Sequence, residues 1–254
     1  MRNWPAHSAP ITCLAYSPDG KTLLSGSRDK TVLIWDAATN EQRGSLTLAD
    51  QVLDCALSPD GALIASGGRD NTVTLSDAAS GSSVRTIDVA ARVNGLAFSP
   101  DGKLLATADG NSKVSLWDVA TGSSVRVLNE HALGVITVAF SSDGQQLASG
   151  GEDTKIRIWN VGSGELVQTL SGHINTINGV AFSPNGQLLA SASNDRGVAL
   201  WNVAAGERIG PYARLTDQTQ NGHKAEVNAV AWRPNGMMFV SGSYDGTVLI
   251  WGIK

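Results

Sequence analysis

The feature that most constrains this chain is that it repeats itself. The segments ITCLAYSPDG, VLDCALSPDG, VNGLAFSPDG, VITVAFSSDG, INGVAFSPNG and VNAVAWRPNG begin at Ile11, Val52, Val93, Val135, Ile177 and Val227. Each runs on into a second apolar stretch, a small-residue turn and a third stretch such as TVLIW or KIRIW. Taking the Asp or Asn of that turn as a landmark gives Asp29, Asp70, Asn111, Asp153, Asp195 and Asp245, with successive spacings of 41, 41, 42, 42 and 50. Such a period marks one supersecondary unit that must stack on its neighbours to bury its apolar surface. Short runs of Val, Ile, Leu and aromatics between Asp-Gly or Asn-Gly turns read as strands and hairpins, and no stretch sustains helical spacing. Runs such as TVLIW are apolar at consecutive positions, so both faces of those strands are buried. Six small sheets packed face to face satisfy that requirement.

Bulk properties exclude several classes. The chain has 254 residues, 42% hydrophobic and 17% charged, which is far from the composition of disorder. A net charge of −4 offers no overall attraction to phosphate backbones or anionic membranes, so nucleic acid is not the expected partner. No run reaches the length of a membrane span, and MRNWPAHSAP lacks the apolar core of a signal peptide. Only Cys13 and Cys55 are present; with no disulfide framework expected, a cytoplasmic location follows, provided the N-terminus is complete. Cys55 falls in register with Leu14, Leu96, Val138, Val180 and Val230 as a core residue. Cys13 matches Gly95, Thr137, Gly179 and Ala229, a position of small side chains.

The spacing near 41, a Gly-His pair, SPDG, an Asp-containing turn and a terminal Trp-Asp resemble the WD-repeat family over about the whole chain. The resemblance implies an all-β, six-bladed β-propeller with four antiparallel strands per blade, one fewer blade than is usual there. It is expected as a single domain over 1–254, with repeats at roughly 7–46, 47–87, 88–128, 129–170, 171–212 and 222–254. The last repeat ends at Lys254, short of an outer strand. Met1 to Pro5, with Trp4 in the core, is expected to close that blade.

The resemblance also implies a buried hydrogen-bond network of His, Ser/Thr, Asp and Trp in each blade. Register supplies it four times: His7-Ser25-Asp29-Trp35, His131-Ser149-Asp153-Trp159, His173-Ser191-Asp195-Trp201 and His223-Ser241-Asp245-Trp251. The other two units read Leu48-Ser66-Asp70-Ser76 and Val89-Thr107-Asn111-Trp117, each without its His and with one further polar change. Trp donates, Asp accepts, and Ser and His do both, so every member is satisfiable. A hydrolytic triad is needed once, whereas this set recurs with a Trp attached, so it reads as structural. The network consumes all four histidines, leaving no cluster for a metal. The Asp-Gly and Asn-Gly pairs lack the remaining spacing of a calcium loop and read as turns.

Neither catalysis, metal nor cofactor is therefore expected, and the leading function is a monomeric interaction scaffold for a protein or peptide. The residue before each landmark faces the top of the channel in the family: Arg28, Arg69, Gly110, Glu152, Asn194 and Tyr244. Arg92 and the apolar replacements Leu48 and Val89 join the arginines of blades 1 to 3, while Glu152, Glu226 and Tyr244 give blades 4 to 6 an acidic character. A partner whose acidic part meets the arginines is expected. Eight extra residues around Ala213 to Asn221 form the only sizeable insertion. Two alternatives stand beside this reading. One is a ligand-sensing domain of a longer regulatory chain, and the other an enzyme with carboxylates in the channel.

Overall fold

The computed structural model describes residues 6–209 and 222–253. Each repeat forms one antiparallel sheet whose strands neighbour one another in chain order. In blade 1 these are Ile11–Tyr16, Thr22–Ser27, Thr31–Asp36 and Gln42–Thr47. Among the described residues five sheets are four-stranded and the sixth has three strands, Val227–Trp232, Met238–Ser243 and Val248–Gly252. The strand expected from Met1 to Pro5 and the insertion around Ala213 to Asn221 lie outside the described residues. Two compact units divide the chain, one of residues 1–111 and 115–126 and the other of 112–114 and 127–254.

The SPDG phrase makes the first hairpin. Gly20, Gly61, Gly102, Gly144, Gly186 and Gly236 all sit at φ between 69° and 73°, a conformation that a Cβ would disfavour. In blade 1 Asp19 accepts from Ser17 Oγ, two residues before it, at 2.6 Å, which closes the turn from the side.

Blade stacking follows one rule within each unit. The second and third strands of one blade offer three apolar residues to three on the first strand of the next. Leu24, Val32 and Ile34 meet Val52, Cys55 and Leu57 in the first unit. Ala190, Val198 and Leu200 meet Val227, Val230 and Trp232 in the second. Alternation along each strand puts these residues on one face and the network residues on the other.

The cysteine reading is corrected by this stacking. Cys13 and Cys55 form a disulfide, with Cα atoms 5.8 Å apart, that ties the first strand of blade 1 to that of blade 2. The two positions occupy different rows of the repeat, but the stagger between stacked blades brings those rows together. A Cβ on Gly26 would lie 2.4 Å from Cys13 Sγ, so the bridge also needs glycine beneath it. The cysteine argument for a reducing compartment loses its basis.

In blade 2 the row of Cys13 holds Asp54, a polar residue that register comparison passed over. Its carboxylate accepts the N–H of Leu96 in blade 3 at 2.7 Å and that of Cys55 at 2.9 Å. Burial outweighs both bonds and raises the carboxyl to about 7. The folded state therefore holds a proton that the unfolded chain releases near pH 4, and stability falls as pH rises from about 4 to about 7. Asp54→Asn keeps an acceptor for Leu96 and removes the charge. Its melting temperature should exceed that of the unsubstituted protein at about pH 8 but not at about pH 4; parallel pH profiles would show that Asp54 does not titrate in this window.

Candidate partner-binding site

The candidate residues stand on turns that the landmark carboxylates build. Asp29 Oδ1 accepts the backbone N–H of Thr31 at 3.0 Å, and the same bond from Asp to the residue two ahead recurs at Asp70, Asp153, Asp195 and Asp245. The residue between is forced to positive φ, as at Lys30 (75°), Thr154 (64°) and Arg196 (68°). A short side-chain bond thus holds a backbone shape that most residues avoid.

Behind each intact turn lies the network. In blade 1 Trp35 Nε1 donates to Ser25 Oγ at 2.9 Å, while His7 joins Ser25 at 2.8 Å through Nε2 and Asp29 at 2.9 Å through Nδ1. Blade 5 repeats this through Trp201, Ser191, His173 and Asp195 at 2.8, 2.8 and 2.9 Å. In blade 4 His131 bonds Ser149 and Asp153, Trp159 donates to Ser149, and Arg157 adds an ion pair to Asp153 at 2.7 Å. Blade 6 departs slightly: His223 meets Ser241 at 2.6 Å, but its Nδ1 meets Thr247 Oγ1 at 2.9 Å, and Thr247 in turn donates to Asp245. Trp251 completes that set through Ser241.

Electrostatics follow from these bonds. Burial pulls the Asp29 carboxyl upward, but hydrogen bonds from Thr31, Ser8 and His7 outweigh it and hold the group at about 2. Asp153 is likewise lowered against burial by His131 and Arg157, and Asp245 by the Thr247 hydroxyl and the Lys224 N–H. These carboxylates are acceptors locked in the ionised form, and each histidine ring has both nitrogens engaged. Asp54 alone among the shifted carboxyls lies near neutrality, as a general base would, yet both its oxygens are bonded to backbone.

Blades 2 and 3 lack the full set. Trp117 still donates to Thr107 at 3.0 Å, and buried Asp109 Oδ1 accepts the Asn111 N–H at 2.8 Å. Leu48 and Val89, expected to offer apolar surface to a partner, are buried instead among the residues packed between blades 1 and 2 and between blades 2 and 3. The physical reason is plain: each occupies the position of a network histidine and inherits its burial.

The residue before each landmark is clamped by its backbone to the start of the first strand. Arg28 N–H donates to Pro10 at 3.0 Å, Arg69 to Gln51 at 3.1 Å, and Gly110 to Arg92 at 3.0 Å. Arg28, Arg69 and Arg92 are exposed in the first unit, and the Arg92 stem lies across Gly110. In the second unit Glu152, Asn194 and Tyr244 are clamped to Gly134, Thr176 and Glu226. There Tyr244 is exposed, Glu152 lies half-buried over Gly134, and Asn194 accepts from Asn178 at 2.6 Å.

A family model described as "WD domain, G-beta repeat" matches residues 1–36, 41–77, 81–118, 122–160, 164–202 and 216–252. The chain belongs to the WD-repeat family. Its six sheets are the blades of that family's β-propeller, a fold typical of protein-interaction scaffolds and in general non-catalytic. Individual relatives align over about one repeat. A WD repeat-containing protein of Schizosaccharomyces pombe is 42% identical over 43 residues, covering 17% of this chain and 5% of its own. WD repeat-containing protein 18 of Mus musculus is 39% identical over 51 residues, 20% and 12% of the two chains. The human U3 small nucleolar RNA-interacting protein 2 is 54% identical over 33 residues, 13% and 7%. The aligned stretches thus span only a small part of these relatives. Among the described residues of this WD-repeat chain no cluster of His, Cys, Asp or Glu is grouped to hold a metal, and no helix is long and apolar enough to cross a membrane.

Sequence comparison also missed the residue that bulges from each first strand. The register shifts between Ile11 and Cys13 and between Ile177 and Gly179, leaving Thr12 and Asn178 unpaired. Their side chains cross to the next blade, Thr12 donating to Val52 O at 3.0 Å and Asn178 to Val227 O at 2.9 Å. A polar residue second in an otherwise apolar strand was the signal.

Proposed function

We propose that this WD-repeat chain is a non-catalytic platform that docks a protein or peptide partner, and that the arginines of the first unit receive an acidic stretch of it. The observation that carries the reading is the placement of Arg28, Arg69 and Arg92. All three are exposed and stand at strand ends, each held by a backbone hydrogen bond. Arginines held on a rigid scaffold bind carboxylates with little ordering cost. The buried polar network supports the same view, because it gives each intact blade internal rigidity and leaves no histidine for chemistry.

The test begins with affinity capture and identification of partners by mass spectrometry. Arg28→Glu combined with Arg69→Glu should weaken a directly binding partner at least about tenfold, or about 1.4 kcal/mol. Both side chains reach solvent, so the melting temperature should stay nearly constant. Undiminished affinity of the double variant would remove this surface from the model.

A further inference from the structure

Neighbouring blades are also tied through their fourth strands, and in the first unit one of these ties is missing. In blade 2 Arg85 stands on the fourth strand, Ser83–Asp88, opposite Leu75. Its guanidinium crosses to blade 3 and donates to the carbonyls of Ala120 and Thr121, each at 2.8 Å. In the second unit the same rung of blade 4 holds Gln168, opposite Ile158, and its side chain lies against the corresponding turn of blade 5 at Gly206. In blade 1 this rung lies opposite Ile34, and the residue there is Gly44. No side chain leaves that position, and a cavity of about 370 Å³ opens between Gly44 and Ser45 of blade 1 and Ala78 to Gly81 of blade 2. The turn facing the cavity is built like the one that Arg85 clamps. Asp77 Oδ1 accepts the Ser80 N–H at 2.7 Å and the Ser80 hydroxyl at 2.8 Å, as Asp118 Oδ1 does from Thr121 at the same two distances. Gly81 and Gly122 end the two turns at φ of 71° and 74°. Ala79 and Ser80 thus hold the places of Ala120 and Thr121, and among the described residues nothing donates to their carbonyls.

From this we propose that the cavity receives the guanidinium of an arginine from a protein partner, in the place that Arg85 fills one blade further on. Two neighbouring carbonyls match the planar fork of a guanidinium, whereas an ammonium offers a single point of charge. Arg43 stands on the rim, and its own guanidinium is held by Asp36. The cavity is separate from the arginines proposed to meet an acidic stretch. Arg69 precedes the third strand of blade 2, Thr72–Asp77, and the turn at Ala78 to Gly81 follows it, so the two lie at opposite ends of that strand. The proposal rests on the platform reading but not on those arginines.

The test titrates the whole chain with N-acetyl-arginine methylamide, and with its lysine counterpart, while backbone amide chemical shifts are followed. The arginine probe should move Gly44, Ser80 and Gly81, and the lysine probe should bind at least about tenfold more weakly. Gly44→Arg fills the cavity from within and should abolish these shifts. Should that variant misfold, Gly44→Gln places there the residue that blade 4 carries on the same rung. Arg85→Gly should open a second site, with new shifts at Thr121 and Gly122. The variant carrying Arg28→Glu and Arg69→Glu should bind the probe unchanged, which separates this cavity from the docking of an acidic stretch. No shift at Gly44, Ser80 and Gly81, equal binding of the lysine probe, or binding that survives Gly44→Arg would overturn the proposal. So would binding seen only after Arg43→Ala, because Arg43 would then be the occupant of the cavity.

Discussion

Reducing the Cys13–Cys55 bridge should lower the free energy of unfolding by about 4 kcal/mol, the value that loop-closure entropy assigns to a crosslink spanning 42 residues. The bridge joins two blades rather than two strands of one sheet, so in the unfolded chain it restrains a whole repeat. Cys13→Ser should have a similar effect, since Ser fits the space above Gly26 but leaves Cys55 unpaired in the packing between blades 1 and 2. The check is a denaturant titration with and without a thiol reductant, beside a thiol count on the denatured, unreduced protein. No titratable thiol and a reductant-sensitive midpoint are the expected results. Two free thiols in protein purified under air would contradict the bridge.

The second large effect is expected at His173. Its ring joins Ser191 and Asp195, and both the ring and the Asp195 carboxylate are almost wholly shielded from water. His173→Ala opens a cavity and takes a buried hydrogen-bond partner from both Ser191 and Asp195. The combined cost should be about 3 kcal/mol. His7→Ala makes the same deletion in blade 1, where Asp29 is 11% exposed and keeps bonds from Thr31 and Ser8. Water can rehydrate that carboxylate, so the loss there should be smaller. Chemical unfolding of the two variants in parallel provides the comparison. Equal losses would mean that shielding of the carboxylate does not set the cost, and an unchanged midpoint for His173→Ala would remove the network from the account of stability.

Because Asp29 is held at about 2 by its hydrogen bonds, its contribution is present above the ordinary carboxylate range and is lost as pH falls through about 4 toward 2. Asp54 works in the opposite sense at neutral pH. The fold therefore carries carboxylates of both kinds, tuned by whether bonding or burial prevails.

Much of this was legible from the residues alone. A repeat whose turns, apolar runs and polar landmarks keep fixed offsets specifies its own strands, and the offsets 22, 4 and 6 picked out the residues of four networks, although in blade 6 Thr247 stands between His223 and Asp245. The candidate arginines were legible as positions, though not their surroundings. Leu48 and Val89 were read as surface, and they are core, because a residue that replaces a buried group stays where the backbone puts it.

What the sequence determined by itself lies within one blade: strand order, the turns at Gly20 and its counterparts, and which His, Ser, Asp and Trp form each network. These interactions span a few to about twenty residues at constant spacing, so periodicity encodes them. The tertiary structure alone decided what passes between blades. The Cys13–Cys55 bond, the Asp54 tie to Leu96, and the reach of Thr12 and Asn178 to the next blade depend on the stagger with which one sheet is laid on the next. That stagger is fixed by side-chain packing across an interface, which no spacing along a single strand records.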